Sequence, residues 1–458
     1  MKTHHCRRIG KQGKNLFWVV LFAAWCFPSS HAADFAYGLG YAGTYSSNIT
    51  RVPVNERSEW INSAFGGFAY AENTSSVVAR VITEVEYRNY SKNVYGDDAL
   101  FDAKANAVWI LSPQQFTWSV DDTYTQLLVD ATAADTPSNR TNTNIFSTGP
   151  DFTVRFSPVN SLALGARAGN FYTSRRDIDN NRLSGTANWQ YQSTAIATYS
   201  LNYEALKVNY DNDTLNTDFT RQDIYIRARV RPSRSEFTLD LGKTYINPVR
   251  GTDSDNGLAR LTWLRELTPE SALSVLLSKE ATDVGSDVLA SSGTAATSVA
   301  ATSVGSQVTA APPSLAQNVV TSDVYIAKRG EIRYSHRGSQ FGTALSLFTR
   351  EIDYELTPVD RREKGGHVEF SYAYFGTSTV SLFGDFVKTE YLNFVREDTD
   401  KDSGLRFAYL AGRNVTFGAE ARHIIRSSTI SILDFVENRA LLTVAYASGP
   451  LYKPTLGR

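Results

Sequence analysis

The sequence predicts an all-β protein, a transmembrane up-and-down antiparallel β-barrel of about 20 strands. Apolar and polar residues alternate over segments of about ten residues, which is typical of strands with one apolar face. Tight-turn signals recur about every 40 residues, and longer polar loops lie between them, as in outer-membrane barrels. The 458 residues are 42% hydrophobic, with a mean hydropathy of -0.28. This is too polar for a bundle of membrane-spanning helices, which need about 20 apolar residues each.

The N-terminus has the three parts of a secretory signal peptide. Basic residues precede the apolar run Leu16 to Phe27, and Ser30-His31-Ala32 supplies a small-x-small site. We therefore expect residues 1–32 to be removed by cleavage after Ala32 or Ala33, with a short anchor helix as the alternative.

Removal of this segment changes the chemistry available to the exported chain. Both cysteines, Cys6 and Cys26, leave with the signal, so disulfides and Cys-ligated metals are excluded and no metal or cofactor is expected. The remainder has 41 Lys and Arg against 47 Asp and Glu, and this lack of basic charge argues against nucleic acid as a partner.

The repeat of turn signals sets the strand count. Between Asn73 and Gly412 the intervals are 40, 45, 36, 38, 37, 69, 38 and 36 residues. Nine short turns and two chain ends give 20 strands over residues 34–447, with both termini periplasmic, and 18 strands is the main alternative. A β-propeller also repeats near 40 residues, but four-stranded blades would not place a long loop at every second connection.

The aromatic residues indicate which face of the strands meets lipid. They gather beside the short turns, as expected for a belt at a membrane interface, whereas a water-soluble β-sandwich, the alternative, has no need of one. The predicted belt consists of Trp109, Trp118, Trp189, Tyr191, Trp263, Tyr372, Tyr374 and Tyr409.

Charged residues occupy the opposite parity and predict the lining of a water-filled lumen. The predicted lining is Arg80, Glu84, Arg88, Asp102, Arg155, Arg167, Arg227, Arg229, Arg231, Asp240, Arg260, Arg329, Glu331, Arg333, Glu369, Asp385, Arg406, Glu420 and Arg422. The triplet Arg227, Arg229 and Arg231 has two interpretations. Its guanidinium groups either bind an anionic polymer or belong to a salt-bridge lattice that stiffens the wall.

Two segments depart from the hairpin pattern. Residues 285–318 are rich in Ser, Ala, Thr and Val, which predicts a long flexible extracellular loop; a constriction folded into the lumen is the alternative. Residues 448–458 follow the last predicted strand as a C-terminal tail.

No enzyme is expected, and no residue is assigned a catalytic role. His367 and Glu369 share a face and could form a dyad, but a single pair of this kind is weak support for catalysis. The parity of His423 places it on the opposite face from its neighbours Glu420 and Arg422.

The first residues after the signal, Phe35 to Tyr41 and then Tyr45-Ser46-Ser47-Asn48-Ile49, carry a family resemblance. The Tyr-x-x-Asn-Ile motif resembles the opening of the β-barrel porins associated with exopolysaccharide loci of the PEP-CTERM/exosortase type. The resemblance implies exopolysaccharide export or assembly, with outer-membrane lipid, an exported polysaccharide and periplasmic export proteins as partners. A general diffusion porin and a non-conducting structural or adhesive barrel are the alternatives.

Overall fold

The computed structural model describes residues 33–174, 177–297 and 319–452, which form one sheet of 20 antiparallel strands. Each strand pairs with the next in sequence, and β20 pairs with β1, so the sheet closes into a barrel. The prediction of about 20 strands is confirmed, and the alternative of 18 is wrong. The strands are β1 Ala33–Ser46, β2 Glu59–Asn73, β3 Val77–Tyr90, β4 Asp98–Ser112, β5 Phe116–Leu128, β6 Arg140–Ser157, β7 Asn160–Thr173, β8 Asn180–Gln192, β9 Ala197–Tyr210, β10 Phe219–Val230, β11 Ser235–Pro248, β12 Ser254–Thr268, β13 Ser271–Asp283, β14 Val324–Arg337, β15 Phe341–Tyr354, β16 Arg361–Tyr374, β17 Ser378–Tyr391, β18 Arg396–Ala411, β19 Val415–Ser428 and β20 Phe435–Ala447.

The two ends of the barrel differ in the length of their connections. Nine connections at one end, here called the turn end, contain two to four residues each. The opposite end, here called the loop end, carries the longer connections, of which residues 47–58, 129–139 and 284–323 are the largest. Two of these connections contain short 3₁₀ helices, Pro137–Asn139 and Ser431–Leu433, and one contains the helix α1, Val284–Thr297.

The strand register pairs inward-facing residues with inward-facing residues on every neighbouring strand, so one polar face runs round the inside of the barrel. Ala42 of β1 pairs with Ser63, Ser63 with Arg88, and Arg88 with Asp98, so these side chains point into the lumen together. The opposite parity on the same strands carries exposed apolar residues such as Leu39 and Tyr87. A strand alternates its side chains between two faces, so the sequence pattern becomes a polar inside and an apolar outside.

All eight aromatic residues of the predicted belt lie on the outward face near the turn end. Trp109 and Trp118 are cross-strand partners, and the rings of Phe341 and Tyr372 lie 4.9 Å apart. Outward aromatic residues also lie towards the loop end, where the rings of Tyr45 and Trp60 are 5.1 Å apart. The apolar outer surface therefore has aromatic residues near both of its edges.

The long connection 284–323 differs from the expected flexible external loop. Its first part is the helix α1, and Val284 and Val288 are buried inside the barrel mouth, because they cover apolar side chains of the inner wall. The expectation for residues 285–318 is therefore wrong for the start of this segment, and residues 298–318 lie outside the described part. Among the described residues, no helix is long and apolar enough to cross a membrane.

The C-terminal tail turns back into the turn end of the lumen. The backbone N–H of Ser448 donates to the carbonyl of Tyr37 at 2.8 Å, and the Ser448 hydroxyl accepts from the N–H of Tyr37. Tyr452 then packs on Ala36 and Ala69 and is only 2% exposed. The predicted signal peptide and residues 453–458 lie outside the described residues.

Candidate functional site: the barrel lumen

The register places the predicted lumen residues on the inward face. Each of them lies on a strand at the parity that faces the lumen, except Arg231, which follows the last residue of β10. Because the sheet closes without a change of parity, the inward set could be derived from alternation alone.

The arginine triplet of β10 is paired with acids of the neighbouring strand. Arg227 donates to both carboxylate oxygens of Asp240, at 2.7 and 2.8 Å, and Arg229 and Arg231 both contact Glu236. These contacts describe a salt-bridge lattice along β10 and β11. The three guanidinium groups therefore do not form an unpaired column, which was the other interpretation.

A cavity of about 490 Å³ in the lumen is lined by strands β16–β20 and β1–β6 and by two loops of the loop end. Its wall is charged, with seven arginines interleaved with carboxylates. The arginines are Arg51, Arg88, Arg140, Arg406, Arg422, Arg426 and Arg439. Three of them, Arg88, Arg406 and Arg422, belong to the predicted lining.

Two phenylalanine rings in this cavity each support a pair of guanidinium groups. Phe383 lies 5.1 Å from the guanidinium carbon of Arg406 and 5.2 Å from that of Arg422. Phe435 lies 5.4 Å from Arg51 and 5.6 Å from Arg426 in the same way. Cation–π contact fixes the planes of the guanidinium groups and leaves their N–H edges for acidic partners.

Those edges meet carboxylates on adjacent strands. Arg406 donates to Glu420 at 2.8 Å, Arg422 to Asp402 at 2.7 Å and Arg426 to Asp400 at 2.6 Å. A bidentate edge recognises any planar carboxylate, so a soluble carboxylate can compete for it.

Glu437 holds together the closure of the barrel next to this cavity. The carboxylate is fully buried and accepts from Ser46 at 2.7 Å, Arg51 at 3.0 Å and Arg439 at 2.9 Å. One acid thus faces two guanidinium groups at the β1–β20 seam. Sequence parity places Glu437 on the inward face but gives no sign of this convergence, because Arg51 comes from a loop.

His367 lines the same cavity between two acids. Its Nδ1 lies 2.7 Å from Asp385 and its Nε2 lies 3.9 Å from Glu369, which was the predicted dyad partner. His423 instead lies on the outward face and contacts Asn438 at 2.7 Å, as its parity predicted. Among the described residues, no group of His, Cys, Asp and Glu is arranged to hold a metal ion.

A loop crosses the loop end above the cavity. Arg140 holds the carboxylate of Asp135 through two hydrogen bonds, at 2.7 and 2.8 Å. Arg51 donates to the carbonyl of Asp135 at 2.7 Å, and the Tyr391 hydroxyl donates to the carbonyl of Ala131 at 3.1 Å. Burial raises the pKa of Asp135, but Arg140 and then Arg51 outweigh it, so the net pKa lies below the ordinary value.

The helix α1 begins on a buried ion pair that sequence reasoning missed. Arg182 of β8 donates to both oxygens of Asp283, at 2.7 and 2.9 Å, with both side chains less than 8% exposed. Asp283 also accepts from the backbone N–H groups of Gly285 and Ser286, so it caps the helix. The signal in the sequence was Asp283 itself, since Asp is favoured at the residue before a helix begins.

A second acid fixes the first turn of α1 to the neighbouring wall. Asp287 accepts from the Tyr325 hydroxyl at 2.8 Å and from Thr282 at 3.1 Å, and it also contacts Arg329, one of the predicted lumen residues. These contacts join the helix to β13 and β14.

Apolar contacts complete the seat of α1. Val284 and Val288 belong to a buried cluster whose wall residues come from strands on both sides of the mouth. The wall members are Leu127, Ile145, Phe171, Val208, Tyr210, Phe219, Ile246, Ala281 and Val324. Val320, on the return of the same connection, donates its N–H to the carbonyl of Leu128 at 2.8 Å. The connection from β13 therefore reaches across the lumen to β5.

The comparisons with known proteins find no matching family and, among solved structures, matches of low similarity. No protein-family model matches the chain, and no curated protein does. Among solved structures, the FrpB iron transporter of Neisseria meningitidis matches with a TM-score of 0.43 and 11% identity over 90% of this chain and 82% of that one. A ferric enterobactin receptor (PfeA) mutant of Pseudomonas aeruginosa gives 0.47 and 8% over 90% and 80%, and the outer membrane protein opdK of the same organism gives 0.39 and 8% over 90% and 99%. We draw no functional conclusion from likeness at this level. The fold itself, a closed 20-stranded antiparallel barrel, is the architecture of outer-membrane channels.

Proposed function

We propose that this protein is an outer-membrane channel whose turn end and termini face the periplasm. The proposal is supported by the apolar outer surface, its aromatic edges and the polar inside. A strand of 14 residues, such as β1, rises about 35 Å at the usual tilt of about 40°, enough for the apolar band of about 25 Å. Short periplasmic turns and long external loops are the rule in such barrels.

We propose further that the cargo is an anionic, hydroxyl-rich polymer, an exopolysaccharide handed over by periplasmic export proteins. The observation that carries this is the wall of guanidinium groups on neighbouring strands, each with a carboxylate on its edge. A uronate carboxylate is chemically equivalent to those of Asp402 and Glu420, so it can exchange with them on Arg422 and Arg406. Each guanidinium group then stays paired with a carboxylate while a polymer advances. The Tyr45–Ile49 resemblance supports the same cargo.

The loops that fold into the barrel mouth bear on two alternative functions. A general diffusion porin needs an unobstructed mouth, whereas α1 and residues 129–139 fold into this one. A non-conducting structural or adhesive barrel is favoured by the apolar cluster that seats α1. Conductance decides between it and a channel.

The test uses the mature protein in planar lipid bilayers. We expect conductance steps that are interrupted by polygalacturonate oligosaccharides and not by neutral dextran oligosaccharides of equal length. The variant Arg406→Gln should weaken the interruption at least several-fold, while Lys207→Gln, on the outward face, should leave it unchanged. Absence of steps would reject a channel of any kind, and equal interruption by dextran would reject the anionic cargo.

A further inference from the structure

A group of cations lies on the outward face near the loop end of β13–β18. The group, here called the lysine patch, consists of Lys279, Lys328, Arg362, Lys364, Lys388 and Lys401. We propose that the lysine patch binds the phosphate headgroups of anionic membrane lipid. This inference depends on the membrane location in the proposed function but is independent of the cargo.

The register places like charges directly opposite each other in this patch. Lys279 is the cross-strand partner of Lys328, and Lys364 is the cross-strand partner of Lys388. Like charges in directly opposed positions of a sheet repel each other. An uncharged residue at either position would avoid this repulsion. Anionic groups outside the wall relieve this repulsion at each pair.

Acids of the chain neutralise only part of the patch. Lys328 contacts Glu351 at 2.5 Å and Asp353 at 3.0 Å, Arg362 contacts Glu351 at 2.6 Å, and Lys388 contacts Glu397 at 2.9 Å. Within the described part of the chain, the lysines Lys279, Lys364 and Lys401 have no ion pair, and all three are exposed. These three ammonium groups are available to a ligand.

The depth of the patch identifies the ligand as a lipid and not a free anion. Towards the turn end, exposed apolar residues follow on the outward face within one or two outward positions, as at Leu277, Ile332, Leu347, Phe386 and Leu405. A ligand that contacts both the lysine patch and the apolar residues beside it needs a negatively charged headgroup and a hydrocarbon chain. Lysines at such a boundary extend their ammonium groups to the headgroup level while their stems cover apolar surface.

The experiment compares the full mature barrel in two kinds of vesicle. One is phosphatidylcholine alone, and the other also contains phosphatidylglycerol, whose phosphate carries a net negative charge. Thermal unfolding is followed by the mobility difference between folded and unfolded protein on gels. We expect phosphatidylglycerol to raise the unfolding midpoint of the wild type, and the triple variant K279Q/K364Q/K401Q to lose more than half of that rise.

A matched control lies outside the lysine patch, on β9 and β11. Lys207 and Lys243 are also exposed and outward near the loop end, so the double variant K207Q/K243Q should keep the full rise. The proposal is overturned if the triple variant keeps the rise, if the control loses as much, or if inorganic phosphate reproduces the rise in phosphatidylcholine alone. Wild type that inserts and unfolds normally in both vesicles, with no rise, refutes the lysine patch while leaving the barrel and its conductance intact.

Discussion

Arg182 and Asp283 form a buried bidentate ion pair although 101 residues separate them in the chain. Four strands of the barrel wall, β9 to β12, lie between the two. The pair thus links two separated positions of the wall across the barrel mouth. It fixes the point at which the chain leaves β13 and enters α1. In a channel, this ion pair holds α1 in the mouth together with the contacts of Asp287 and the apolar cluster.

The first prediction concerns this ion pair. Asp283→Asn leaves the buried Arg182 without its partner, which costs about 3–5 kcal/mol. Arg182→Gln should cost less, because Asp283 keeps a weaker contact with Arg221 at 3.8 Å. The double variant removes both charges, so its cost should be smaller than the sum of the two singles. Urea unfolding in lipid vesicles measures the three free energies, and planar bilayers should show larger or noisier steps for the singles. Additive costs would show that the two groups do not interact.

The second prediction tests the close approach of Arg182 to the helix start. A Cβ at Gly285 would lie 2.6 Å from Nη1 of Arg182, which is held in place by its two bonds to Asp283. Gly285→Ala should therefore raise conductance in the same direction as Arg182→Gln. Gly257→Ala is the control, because a Cβ there meets nothing within 4 Å. An unchanged G285A channel would mean that the ion pair can shift without moving α1.

The third prediction concerns the seam where the barrel closes. Glu437→Gln removes the carboxylate that forms ion pairs with both Arg51 and Arg439, and it should destabilise the barrel by about 3–5 kcal/mol because the site is buried. Glu236→Gln is the comparison, since that carboxylate is 36% exposed and its pairs with arginine lie at the turn end. Exposed pairs contribute about 0–1 kcal/mol, so E236Q should unfold close to wild type. Equal effects of the two variants would contradict a special role for the seam.

The strand count and the two faces of the wall could be predicted from the sequence because both depend on local order. Alternation fixes which side chain points inward, and closure preserves that parity, so Arg80 and Trp189 were placed by counting. The ion pairs between adjacent strands, such as Arg227 with Asp240, follow from the same register.

The contents of the lumen could not be predicted, because they depend on contacts between distant segments. The composition of residues 285–318 suggested a flexible loop, yet its start is seated by Arg182 and by apolar residues from strands on both sides of the mouth. The cluster around Glu437 depends in the same way on Arg51, which a loop delivers. Neither the alternation of side chains nor the spacing of turns carries information about contacts between distant segments.

The last prediction concerns the tail. Tyr452 lies against Gly38 and Gly67, where a Cβ would come within 2.6 and 2.7 Å of its side chain, so its ring occupies space that only glycine leaves open. Tyr452→Ala should cost about 3 kcal/mol, the usual order for removing a buried aromatic ring, and it should expose the tail to carboxypeptidase. Tyr452→Phe keeps the ring and should resist digestion.

A chain that ends at Ala447 provides the reference for this effect. If the tail stabilises the barrel through Tyr452 alone, Y452A and the shortened chain should unfold at the same urea concentration, and both below wild type. A shortened chain as stable as wild type would show that the ring fills space at the turn end without supporting the wall. In that case the two variants should still differ from wild type in conductance, because Tyr452 and its neighbour Leu451 pack inside the barrel against β1, β2 and β3.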